Sequence, residues 1–119
     1  MQQAIEQDKL ALLQAGLAKI KAAFIEGLPG KVAEFDALMD RLFDESEDTD
    51  KVLEEIGQKA HKLHGQSGSF GFDHVGKIAA KVEYEVMRVL EGPTPRDVDG
   101  VEAYLVALLD QIEASLAEG

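Results

Sequence analysis

Apolar residues recur along most of the chain at intervals of three and four, the period of an amphipathic helix, and no stretch alternates as a strand would. The first stripe starts at Ile5 and takes in Leu10, Leu13, Leu17, Ile20 and Phe24. Leu28-Pro29-Gly30 predicts a break, because proline suits the first turn of a new helix. A second stripe follows through Val32, Phe35, Leu38 or Met39, and Leu42. It stops in the acidic run Asp44 to Asp50, several of whose residues are suited to cap the next helix. The third helix is predicted from about Lys51 to Phe70, with Gly71 as its left-handed terminator. The fourth begins after Asp73, a candidate N-cap, and ends at Glu91-Gly92-Pro93. Thr94-Pro95-Arg96-Asp97 then reads as a helix start, with Thr94 as N-cap and Pro95 at the first helical position. The last stripe runs from Val98 to Leu116.

These five segments are joined by short connections, which favours antiparallel neighbours and hence a helical bundle. With 119 residues and no internal linker, the expectation is one domain over 1–119. Each segment has one apolar face that a single bundle could bury, so a monomer is expected.

Composition removes several kinds of function. Without cysteine there is no disulfide scaffold, zinc-thiolate centre or thiol nucleophile. Twelve basic against 23 acidic residues give a net charge of −11, which disfavours nucleic acid and anionic membrane surfaces as partners. No apolar run reaches the roughly 20 residues of a membrane span. The N-terminus lacks the basic-then-apolar order of a secretory signal, so a cytoplasmic location is expected. The initial Met and the final helix make a complete small protein the expectation. No Gly-rich nucleotide loop is present.

The third helix holds a feature that stability does not explain. Gly57, Gly65 and Gly68 lie inside it, each costing about 1 kcal/mol relative to alanine. On a wheel of 100° per residue, His61 falls about 130° from the centre of the apolar stripe, and the three glycines gather on the same flank. An exposed imidazole on a strip cleared of side chains fits close approach by another molecule. The plainer reading is a surface helix with an incidental histidine. An exposed histidine serves as nucleophile, proton shuttle or metal ligand. A nucleophile needs one nitrogen bare and the other held by an acceptor. Glu83, on the flank of the fourth helix, is the best-placed carboxylate, although an ordinary solvated glutamate is the commoner fate of such a residue.

The stretch Ala60 to Phe72, AHKLHGQSGSFGF, followed by Val82-Glu83 about 22 residues after the histidine, resembles the histidine-containing phosphotransfer (HPt) domain. The similarity extends over roughly Phe24 to Glu91. It implies that His61 accepts a phosphoryl group, that Gly65 keeps the space beside it open, and that Glu83 hydrogen-bonds the ring. His64 stands where the family often has a lysine, so a fixed cation beside the phosphoryl group is not supplied from that position. His64 donates conditionally on its protonation, and Lys62 lies about 100° away round the helix. Gly57, Lys62 and Gly68 would belong to the docking face. Together with the five segments, the resemblance implies an all-α fold: an antiparallel up-down-up-down four-helix bundle with an additional N-terminal helix. It implies a phosphoryl carrier, not an enzyme, that exchanges the group with a receiver domain or sensor histidine kinase. No cofactor of its own is implied, and the Mg²⁺ is expected on the receiver. Two other readings remain open. One is metal binding by His61 and His64 with His74 and nearby acids; the other is a non-catalytic adaptor bundle.

Overall fold

In the computed structural model, the backbone is described for residues 2–118 and side chains from Glu6 to Glu118, so the side chain of Ile5 lies outside the described residues. The described residues form four helices: α1 Gln2–Leu42, α2 Thr49–Ser69, α3 Asp73–Glu91 and α4 Asp99–Glu118. Each packs on its neighbour in sequence and α4 returns to α1, so the four close a ring around one core. Phe35, Leu28, Leu53, Ile56, Leu63, Leu105, Leu108 and Ile112 are fully buried there. Each contributes about 1.5–3 kcal/mol of transfer free energy.

The expected break at Leu28-Pro29-Gly30 does not occur. The first two predicted segments are one helix, with Pro29 inside it, and the additional N-terminal helix is the outer half of α1. Packing on both sides of the proline explains this. Phe24 and Leu28 before it and Phe35 after it are all buried, while Pro29 itself is exposed. The lost backbone donor is tolerated because the anchors hold the helix across it.

The outer half of α1 leaves the bundle. Every residue from 6 to 23 is exposed, including the apolar stripe from Leu10 to Ile20. The chain is therefore long, 67 × 28 × 22 Å, with a radius of gyration of 18.0 Å against about 13.5 Å for a compact globule of this length. The premise behind an expected monomer, that one bundle covers every apolar face, fails for this stripe.

The ends of α2 follow the sequence. Asp48 caps its start, with Oδ1 accepting from the backbone N–H of Asp50 at 3.1 Å and of Lys51 at 3.4 Å. Gly71 ends it at φ +80°, and the N–H of Phe72 donates to the carbonyl of Ser67 at 2.9 Å. Phe70 and Phe72 then pack on Phe24, ring centroids 5.1 and 5.6 Å away, which pins the turn to α1.

Two predicted helix starts are corrected. Asp73 is the first residue of α3, and the N-cap, Phe72, makes no side-chain capping bond. Thr94-Pro95 does not open α4, which begins at Asp99. Arg96 holds this connection instead. Its guanidinium donates to the carbonyls of Val89 and Gly92 and to Asp50 Oδ1. Those bonds tie residues 92–98 to the end of α3 and the start of α2. Asp97 Oδ1 then accepts from the Asp99 N–H at 3.1 Å, which turns the chain into α4.

Candidate functional site

The α2–α3 hairpin builds the site. Gly57, His61 and Ser67 on α2 face Val86, Glu83 and Gly76 on α3, so numbers rise along one helix as they fall along the other and the pair runs antiparallel. Buried Ala60 and Leu63 pack at this seam with Ala79 and Val82. His61 and Glu83 each follow a buried residue by one position, which puts both at the rim of the seam.

There His61 Nδ1 lies 2.6 Å from Glu83 Oε2. The contact favours the tautomer that carries its proton on Nδ1, facing the Glu83 carboxylate. In the neutral ring the second nitrogen, Nε2, is then a bare lone pair. The imidazole is 73% exposed and the carboxylate 27%. The acceptor is thus held by the fold while the ring faces solvent. This arrangement can perform nucleophilic attack through Nε2.

The glycines divide in role. A Cβ on Gly65 or Gly68 would meet nothing within 4 Å, so both leave open space on the exposed face. A Cβ on Gly57 would stand 3.2 Å from Val86 Cγ1. Gly57 therefore lets α3 approach α2 as well as sitting beside His61. That packing role was not legible in the wheel, which shows only one helix. Gly76 does the same from α3, where a Cβ would meet Ser67 Cβ at 3.4 Å and the His64 carbonyl at 3.5 Å.

One groove borders the imidazole and a second lies about one turn further along α2. The first, of about 480 Å³, is lined by His61 and Glu83 together with Gly57, Val86, Met87 and Leu90. The other, of about 730 Å³, is lined by His64, Gly65, Gly68 and Gly76 with Lys77 and Lys81. The first sets Glu54 and Glu83 beside an apolar wall of Val86, Met87 and Leu90; the second sets Lys77 and Lys81 beside Asp73. The place of Met87 and the two lysines beside the site depends on the pairing of α2 with α3. Lys62 is exposed and lines neither groove. His74 is exposed in the first turn of α3. Among the described residues no three His, Asp or Glu side chains gather as a metal-binding group, so the three histidines are not brought together. No described helix is long and apolar enough to cross a membrane.

A family model described as Hpt domain matches residues 19–117. No curated protein and no solved structure matches the chain.

Proposed function

Because the chain belongs to the Hpt domain family, with a phosphotransfer role in two-component signalling, we propose that it carries the phosphoryl group on His61 Nε2. The observation that carries this reading is the 2.6 Å contact from Glu83 to the opposite ring nitrogen. It selects the tautomer whose lone pair faces solvent.

In the proposed step, Nε2 attacks the phosphorus of a receiver's aspartyl phosphate in line. The N–P bond forms as the P–O bond to the carboxyl group breaks, and the aspartate leaves as a carboxylate. The ring keeps its Nδ1 proton and becomes cationic, and Glu83 stabilises that charge. The reverse step passes the group to another receiver. Transfer of this kind depends chiefly on positioning and charge neutralisation. In this reading the partner brings the divalent cation, and the present chain holds no cofactor. Gly65 and Gly68 leave room for the donor, and His64 lies at the edge of the same face. Val86, Met87 and Leu90 give the receiver an apolar hold beside His61, and Lys77 and Lys81 offer cations further along the same face. A sensor histidine kinase is the alternative donor, and the setting is cytoplasmic. The antiparallel α2–α3 pair and the short connections support up-down-up-down order for the bundle.

The test mixes the purified chain with phosphorylated receiver domains and Mg²⁺ and scores acid-labile, base-stable phosphate on it. Labelling of the wild type and none of His61→Gln is the expected result. Labelling retained in His61→Gln overturns the assignment of His61.

A further inference from the structure

Residues 6–23 of α1 form a stem that touches no other helix closely enough to be covered, and all of them are exposed. Leu10, Leu13, Leu17 and Ile20 are 54, 60, 52 and 56% exposed. They succeed one another at three, four and three residues, and Phe24, four further on, enters the core. That is the seam spacing of a coiled coil. A helix of this length gains most of its stability in water from packing an apolar face. The family match begins only at residue 19, so most of the seam lies outside the shared fold.

Charge selects what covers it. The stem has three lysines (Lys9, Lys19, Lys21) against Glu6 and Asp8, a net +1, so the remainder of the −11 chain carries −12. Copies that meet bundle to bundle repel one another; copies that meet stem to stem do not. The stem charges are also polarised. Glu6, Asp8 and Lys9 give the outer end a net −1, and Lys19 and Lys21 give the base +2. Antiparallel stems set each acidic end beside the other's basic end, whereas parallel stems set like against like. Antiparallel pairing also sends the two acidic bundles to opposite ends of the paired stems. An 18-residue stem spans about 27 Å, about three Debye lengths at physiological salt.

We infer that the stem is a self-association site, through which two copies of this chain pair as an antiparallel coiled coil. Leu10 of one copy packs on Ile20 of the other, and Leu13 on Leu17. The outer end of each stem enters a groove of about 370 Å³ at the other's base, lined by Gln14, Leu17, Ala18, Lys21, Ser69 and Phe70. His61 and Glu83 lie outside this contact, so the inference stands apart from the phosphotransfer reading.

Light scattering on the full chain over a dilution series tests it. The expected mass at high concentration is twice the 12.9 kDa of one chain. A Leu13→Asp, Leu17→Asp double variant should stay at 12.9 kDa throughout, with the thermal transition of the bundle retained, because neither side chain is in the core. The chain has no cysteine, so orientation is readable by oxidising an equimolar mixture of Lys9→Cys and Ala23→Cys proteins. Antiparallel pairing favours the mixed disulfide over the Lys9→Cys homodimer. A monomeric mass at every concentration, or an unchanged dimer in the double variant, overturns the proposal. Preference for the Lys9→Cys homodimer overturns the antiparallel arrangement. A chain that stays monomeric yet binds phosphatidylserine vesicles through the stem assigns the face to lipid and overturns it as well.

Discussion

Glu83 Oε2 lies 2.6 Å from His61 Nδ1, across the rim of the α2–α3 seam. A carboxylate in that position favours the tautomer with Nε2 bare and, in the proposed transfer, balances the charge that the ring gains. Carboxylates that orient a histidine from behind are typically worth about 10- to 100-fold in affinity or activity. Glu83→Ala should therefore slow phosphoryl transfer by about that factor, and Glu83→Gln, which retains an acceptor oxygen, by less. Initial rates from a phosphorylated receiver, with helicity checked by circular dichroism, measure both. Unchanged rates in Glu83→Ala would remove the glutamate from the mechanism.

The two glycines nearest His61 should respond oppositely to added bulk. Gly65 faces open space, so Gly65→Leu gains most of the helix propensity that glycine forgoes, about 0.5–1 kcal/mol, while blocking the partner's approach. Gly57 faces Val86 Cγ1 at 3.2 Å, so Gly57→Leu overpacks the seam and costs about 1–3 kcal/mol. Chemical denaturation and the transfer assay, run on both variants, separate clearance from packing. A stabilised Gly65→Leu chain with normal transfer would show that the cleared strip has no part in docking.

Pro29 is an exposed proline in the interior of α1. Pro29→Ala restores the backbone donor without disturbing the core. Stability should rise by up to about 3 kcal/mol, the usual penalty of proline in a helix. The midpoint of urea unfolding reads this directly.

Asp44 should resist protonation. Ser46 donates to its Oδ1 from the hydroxyl at 2.7 Å and from the backbone N–H at 2.9 Å, and these bonds hold the carboxyl below its ordinary 3.8. A depressed folded value means that the contribution is complete above the unfolded value and is lost as pH falls through the folded one. Ser46→Ala removes the hydroxyl, the larger cause, so the Asp44 titration should move up toward 3.8. Carboxyl carbon shifts followed by NMR against pH give both curves.

The pairing of His61 with Glu83 at the candidate site was legible because it depends on spacing along two helices. His61 at the edge of one stripe and Glu83 at the edge of the next become neighbours as soon as the helices pair antiparallel. Gly71 was legible because its left-handed turn has a local cause. What failed was decided at a distance. Pro29 reads as a break locally, and Phe24, Leu28 and Phe35 override it by packing. Thr94-Pro95 reads as a cap, but the hydrogen bonds of Arg96 to Val89, Gly92 and Asp50 fix that connection. The Leu10–Ile20 stripe was read correctly as amphipathic. Periodicity reports that a face is apolar, not what covers it, and no helix of the same bundle does. Gly57 carried a signal, yet its contact with Val86 needed the register of the partner helix.

Both members of the His61–Glu83 pair belong to one hairpin whose helices are joined by three residues, Phe70 to Phe72. The spatial relation between them is therefore encoded in a single contiguous stretch, and α1 and α4 pack around it as a platform. Exchange of those outer helices for others of matching apolar faces would carry the His61–Glu83 pair along intact. A one-residue insertion in the joining turn, by contrast, would have to be absorbed there or swing Glu83 about 100° round its helix axis. The pair is in this sense a cassette, tolerant of what surrounds it and intolerant of a change in its own phase.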